Sequence, residues 1–315
     1  MIPLGPGLHP DIPEDLYHAD PAEQASLSSS VARILVGRSP LHAWHAHPRL
    51  NPAFPKDEDE KNDRVRDIGS GSHALMLGKG QDVVRLPFAN YRKDAAKEAA
   101  AEARASKQIP LLEPDHDTVQ AIVEAGKRQL ATSDFAGIFD DGDAELTAVW
   151  QEPGCLCRSR IDYLPAIVRQ GGHVIVPDYK TTAGSAEPED YRRTMTEKGH
   201  AVQAAFYERG LRTLIPSIKS LEFVFIVQEQ EAPYAMSFLG FDAEAMERAR
   251  QEVEVAIRLW AHCLKAGEWP GYPNEIHRVG VAAWKAEQSE FRSQHLLDRL
   301  AKWQAPLHTT RGKAA

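Results

Sequence analysis

The chain has 315 residues, of which 43% are hydrophobic, and a formal net charge of −8. That apolar content can bury a sizeable core, whereas the acidic balance excludes a surface that attracts polyanions over its whole extent. No apolar run approaches the ~18 residues of a membrane span, Met1-Ile2-Pro3-Leu4-Gly5-Pro6 cannot begin a signal helix, and three cysteines are too few for a disulfide framework.

A soluble, cytoplasmic protein with no membrane association is therefore expected. In chain order, a proline-rich lead-in covers 1–26, and the Ser28-Ser29-Ser30 cluster caps a short helix carrying Val31, Ile34 and Leu35. The acidic, proline-flanked stretch 51–63, with Asp57-Glu58-Asp59-Glu60 as a surface run, reads as a loop. Residues 69–78 are helical with apolar Ala74, Leu75 and Leu77, which sets His73 on a face turned from solvent. Further helices are predicted over 92–107 and 115–132, then strands over 144–151, 155–164 and 173–180. A helix over 188–213, a hairpin over 219–228 and 233–240, and a long amphipathic helix over 242–266 follow. The tail after about 286 is polar and is expected to fray.

Within this frame, Asp178 and Lys180 are two apart at the end of a strand, so their side chains project from the same face. Asp162 closes the preceding strand. Gln170-Gly171-Gly172 reads as a hairpin turn, which predicts antiparallel pairing of the two strands and brings Asp162 beside Asp178. Two converging carboxylates suit Mg²⁺, with Mn²⁺ as a substitute, and an adjacent lysine can orient an attacking water and offset transition-state charge. Pro177 lacks a ladder donor, which confines its strand to an edge or a bulge. His42, His45 and His47 raise a zinc alternative, with no Cys or carboxylate nearby to complete a tetrahedral set. Cys155 and Cys157 read as small strand residues. His73 taken alone reads as a hydrogen-bonded core histidine, Gln203 and Tyr207 as an i, i+4 helix pair, and Glu145 as a solvated strand residue.

The pieces in order resemble the PD-(D/E)XK nucleases, in the branch of RecB-type domains and the exonuclease VIII (RecE) family of phage and prophage exonucleases. The resemblance rests on Tyr17-His18-Ala19-Asp20, Leu27-Ser28-Ser29-Ser30, Ser39-Pro40-Leu41-His42-Ala43-Trp44 and Gly69-Ser70-Gly71-Ser72-His73. It continues through Glu145 to Trp150, Cys157-Arg158-Ser159-Arg160-Ile161-Asp162, Asp178-Tyr179-Lys180-Thr181-Thr182, Gln203-Ala204-Ala205-Phe206-Tyr207 and Trp269-Pro270-Gly271-Tyr272 with Trp284. It runs from about residue 15 to residue 285.

The resemblance implies an α/β fold with a mixed central sheet flanked by helices. It implies one nuclease domain over 1–285, comprising an N-terminal helical segment (about 15–135) and a core (about 136–285), and then a tail over 286–315. His73, Asp162, Asp178 and the Tyr179 backbone carbonyl would hold Mg²⁺, with Glu145 as a further ligand or a supporting acid. Lys180 would orient the water, with Gln203 beside it and Tyr207 near phosphate. Some RecB-type relatives carry a four-cysteine iron–sulfur cluster, for which this chain has too few cysteines, so none is expected. The implied activity is 5′-to-3′ digestion of linear double-stranded DNA from its ends, in a ring-like homo-oligomer that works with a single-strand annealing protein. An endonuclease of the same fold and an inactive DNA-binding or assembly protein are the alternatives. The net charge is no bar, because Arg158, Arg160, Lys180, Arg192, Arg193 and Lys198 cluster around the motifs and local field decides phosphate binding.

Overall fold

The computed structural model describes residues 3–54, 63–280 and 283–304. The chain divides into two compact units, 1–271 and 272–315. Most of the acidic stretch at 55–62 and the final residues 305–315, including Arg311-Gly312-Lys313-Ala314-Ala315, lie outside the described residues.

Serine capping sets the first helices. Ser28 accepts a hydrogen bond from the Val31 amide and starts α2 (Ser29–Gly37), and Ser39 accepts from His42 to start α3 (Pro40–His45) with Pro40 in its first turn. Before them lie β1 (Gly7–His9), α1 (Glu14–His18) and β2 (Ser26–Ser28). A helical block follows: α4 (Asp63–Leu77), α5 (Asp94–Ala105) and α6 (Glu113–Ala131), with the parallel pair β3 (Val83–Leu86) and β4 (Ile109–Leu112) between them.

The core strands are β5 (Gly142–Glu152), β6 (Cys155–Pro165), β7 (Gly172–Thr182), β8 (Ile218–Glu229) and β9 (Met236–Leu239). The predicted β6–β7 hairpin does not form. β6 pairs antiparallel with β5 on one edge, and on the other its residues 156–158 pair parallel with β2, so the sheet runs β1-β5-β6-β2 without β7. A 3-10 turn over Ala166–Gln170 carries the chain to β7, which opens a second sheet, parallel to β8 and beyond it β9. β7 is thus an edge strand, which accommodates Pro177 opposite Val224. β6 and β7 still run side by side.

The predicted helix over 188–213 is two helices, α7 (Pro188–Glu197) and α8 (His200–Leu214), because Gly199 takes a left-handed conformation (φ 63°, ψ 40°) between them. The long helix α9 (Ala243–Ala266) is capped by Asp242 and ends at left-handed Gly267. In the second unit, residues expected to fray instead form α10 (Ala283–Gln304), rich in Ala, Gln, Glu and Leu.

One main core joins the strands to α2, α8 and α9 through Leu146, Trp150, Ile161, Phe206, Phe225 and Trp260. Trp150 meets Phe206 edge-on at 4.9 Å, and its six-membered ring lies so close to α8 that a Cβ on Gly210 would stand 2.7 Å from it. Gly210→Ala should therefore overpack this contact and cost about 1–3 kcal/mol, read as a lower urea midpoint with an unchanged slope. Cys155, Cys157 and Cys263 are buried free thiols in this interior, and burial pushes the Cys157 thiol well above its usual range.

Candidate active site

Alternation along β6 puts Arg158, Arg160 and Asp162 on one face, and alternation along β7 puts Asp178 and Lys180 on the face shared with buried Val174 and Val176. The two faces meet at Lys180. Its Nζ lies 3.3 Å from Asp162 Oδ2 and forms an ion pair with Asp178 Oδ2. The expected pairing of the two aspartates is thus achieved across neighbouring strands that share no ladder.

His73 arrives from near the C-terminal end of α4. Its Nε2 is 3.2 Å from Asp162 Oδ2 and its Nδ1 is 3.2 Å from Glu145 Oε1, so the ring spans the two acids. Glu145 also accepts from Arg160 Nε, and the Arg160 Nη1 donates to the Ile12 carbonyl at 2.9 Å. Glu145 has φ 54°, and the β5–β6 ladder passes from Ala144–Tyr163 to Leu146–Ile161 without pairing Glu145 to Asp162. A non-glycine residue held there costs about 1–3 kcal/mol, and such strain concentrates at functional sites.

Gln203, on the first turn of α8, donates from Nε2 to Asp178 Oδ1 at 2.9 Å. Asp178 Oδ2 is buried, and the group facing it is the Lys180 ammonium. Tyr207, one turn on, is buried with its ring edge-on to Phe223 at 5.7 Å, and its hydroxyl faces Ser29. Burial holds that phenol well above its usual range. The Tyr179 side chain points to the other face of β7, where its hydroxyl donates to Gln228 Oε1 at 2.7 Å.

Charge is unevenly held in this cluster. Burial, and next the Asp162 charge, push the Asp178 carboxyl up to about 7. Burial acts on Asp162 in the same direction, yet Lys180 and His73 outweigh it and hold that carboxyl well below the usual range. Burial would lower Lys180 and His73, but the facing carboxylates raise both. One buried and one half-buried acid are thus balanced by one shared ammonium and one imidazole.

That donor set fits a hard divalent ion: two carboxylates, one of them with a buried oxygen faced only by the Lys180 ammonium, beside an imidazole. Among the described residues no three His, Cys, Asp or Glu groups already surround one point as a metal requires. Lys180 stands between the carboxylates, so binding an ion here requires its ammonium to move aside.

Lys180, His73, Glu145 and Arg160 line a cleft of about 1510 Å³ whose other walls mix cations (Arg66, Lys79, Arg104, Lys107, Lys198) with acids (Asp11, Glu14, Asp15, Asp67, Asp82, Glu197). The basic residues expected from the motifs contribute differently. Arg158 is buried and donates to the Ser26 carbonyl, while Arg192 and Arg193 pair with Glu189 and Glu197 on the surface. Lys79, Arg104 and Lys107, which sequence reasoning missed, come from the helical block and carry no motif of their own. Arg160 did have a signal, since it stands two residues from Asp162 on a strand. The zinc alternative fails: His42 pairs with Ser39, His45 is exposed, and His47 is buried against Asp20 and the Ser26 carbonyl.

The family profile of a PDDEXK-like domain of unknown function (DUF3799) matches residues 53–279, which contain every one of these site residues. Among solved structures, the fold is similar to a putative exonuclease from Eubacterium rectale, with a TM-score of 0.56 and 14% identity over 88% of this chain and 98% of that one. A phage-related exonuclease from Haemophilus somnus aligns over 77% of this chain and 96% of its own, at 9% identity and a TM-score of 0.30. No curated protein matches the chain. Among the described residues no helix is long and apolar enough to cross a membrane. The match over most of the chain, and a mixed α/β fold that brings the Asp-x-Lys strand end against a second aspartate, make this protein a member of the PDDEXK-like DUF3799 family.

Proposed function

We propose that the protein is a metal-dependent deoxyribonuclease that digests linear double-stranded DNA from its ends in the 5′-to-3′ direction. The observation that carries the reading is the Asp162–Lys180–Asp178 cluster, with His73 against Asp162, at a large cleft lined by charges of both signs. The exonuclease part is supported by the name of the Eubacterium rectale neighbour. An Mg²⁺ or Mn²⁺ ion held by Asp162, Asp178, His73 and the Tyr179 carbonyl would supply Lewis-acid polarisation and an acidified water.

The chain's own residues divide the remaining work. Lys180, once clear of the carboxylates, orients the attacking water and offsets charge on the phosphate. Gln203 keeps the Asp178 carboxylate aimed, and Glu145 fixes the His73 ring through its Nδ1. Lys198 lines the same cleft and can meet the duplex backbone, whereas Lys79 and Lys107 are paired there with Asp11 and Asp15. Tyr207 braces α8 against α2 and keeps Gln203 in register. A ring-like homo-oligomer, a single-strand annealing partner and a role in phage or prophage recombination complete the proposal.

The test is digestion of end-labelled linear duplex and closed circular duplex, with Mg²⁺ or with EDTA. Loss of linear DNA from the 5′ end with Mg²⁺ alone is the expected result. Cutting of the closed circle would make the enzyme an endonuclease, and no cutting of either substrate would leave the fold without this activity.

His73 gives a graded check. An imidazole must be neutral to ligate a metal, and the two acids raise its affinity for a proton, so proton and ion compete. His73→Ala should raise the Mg²⁺ concentration for half-maximal cleavage by about 10-fold or more, with activity partly restored at high metal. An unchanged metal requirement would remove His73 from the site.

A further inference from the structure

Gln203 aims Asp178, and His200 in turn holds Gln203. With the Gln203 nitrogen given to Asp178, the amide oxygen is left to be satisfied, and it lies 3.3 Å from Nδ1 of His200, three residues earlier on α8. Left-handed Gly199 begins the helix at His200, which is 5% exposed and packs its ring 5.0 Å from that of Phe225. Burial first, then Lys180, push this imidazole down to about 4, so the ring is neutral and carries one proton. The two ring nitrogens differ. Nδ1 faces an acceptor oxygen, whereas Nε2 is buried with no hydrogen-bond partner among the described residues. A buried N–H without an acceptor is costlier than a bare lone pair, so the proton belongs on Nδ1.

We infer that His200 is a positioning residue: its Nδ1–H grips the Gln203 oxygen so that the amide nitrogen, and not the oxygen, faces Asp178. Turned over, the amide would set its oxygen against Asp178 Oδ1, and the carboxylate would lose the donor that aims it. The catalytic consequence rests on the proposed nuclease activity, while the amide orientation does not.

The test compares His200→Asn, His200→Gln and His200→Ala. Asparagine places an amide nitrogen where Nδ1 stood, and glutamine places one further out, towards Nε2. On linear duplex with saturating Mg²⁺, the Ala and Gln variants should lose about tenfold in kcat with KM unchanged, as the loss of one aiming hydrogen bond predicts, and the Asn variant should recover most of it. In the Gln203→Ala background, His200→Ala should cost nothing further. Nitrogen-15 NMR of the metal-free protein should find the His200 proton on Nδ1, and a Gln203 side-chain amide resonance that moves in His200→Ala.

Equal rescue by Asn and Gln, additive losses with Gln203→Ala, or a proton on Nε2 would each overturn the inference. The Asn and Gln comparison keeps it decidable even where the alanine variant folds poorly. Wild-type protein that cleaves no DNA while His200 carries Nδ1–H would overturn the nuclease reading and the catalytic half of the inference with it. Active wild type with the proton on Nε2 would overturn the inference alone.

Discussion

Asp178→Ala and Lys180→Ala are each expected to lower DNA cleavage by about 10²-fold or more, with the far-ultraviolet circular dichroism unchanged. Asp178 is fully buried, and burial with the nearby Asp162 charge raises its carboxyl to about 7, so holding it ionised costs the fold energy that Lys180 only partly offsets. Removing it should leave the melting temperature level or higher. Lys180 sits between two carboxylates, and its removal leaves them facing each other without the shared ammonium. Lys180→Ala should therefore stay folded most readily with Mn²⁺ present, which can take over the charge balance, and still cleave slowly. Wild-type digestion by either variant would remove these residues from the site.

Asp20→Ala is expected to destabilise the fold by about 3–5 kcal/mol without touching the catalytic cluster, because it strands a buried arginine. Asp20 accepts from the Ser26 amide at 2.9 Å and the Ser26 hydroxyl at 2.7 Å, and it pairs with Arg158 Nη1 at 3.1 Å and with His47 at 3.3 Å. This hub ties β2 and the lead-in to β6, two and four residues from Arg160 and Asp162. Burial alone would raise the Asp20 carboxyl, but His47, Arg158 and Ser26 together lower it. A carboxyl lower in the folded than in the unfolded state contributes stability that is complete above the unfolded value near ~3.9 and is lost as pH falls through the folded value. Urea unfolding at neutral pH should show the full loss in Asp20→Ala, and the difference from wild type should shrink towards about pH 3. A variant as stable as wild type at neutral pH would show that the hub is not a structural tie.

The five core strands, the long helices and the Asp-x-Lys end were legible because each is a local pattern: β-branched runs, 3.6-residue periodicity and period-2 alternation; the short β1 to β4 carry no such run. The partners of β6 were not, because one of them is a three-residue strand, Ser26–Ser28, more than a hundred residues earlier, and nothing local in Cys155–Pro165 points to it. The break at Gly199 was missed because one glycine in a helical pattern can be tolerated, and only its left-handed conformation separates α7 from α8. His73, Gln203 and Glu145 could be named from the resemblance, yet their partners could not. That His73 spans Glu145 and Asp162, and that Gln203 reaches Asp178 Oδ1, are facts of tertiary placement. His200 had a faint signal in its i, i+3 spacing to Gln203, which alone does not distinguish a hydrogen-bonded pair from two neighbours on a helix.

The central claim is that Asp162, Asp178 and His73 form a divalent-metal site, and isothermal titration of Mn²⁺ into wild type and into Asp162→Asn/Asp178→Asn tests it without any nucleic acid. Saturable binding to wild type that vanishes in the double variant, with both proteins equally folded, is the predicted result. Equal Mn²⁺ binding by the two proteins, or none by a wild type that still cleaves DNA, would contradict it.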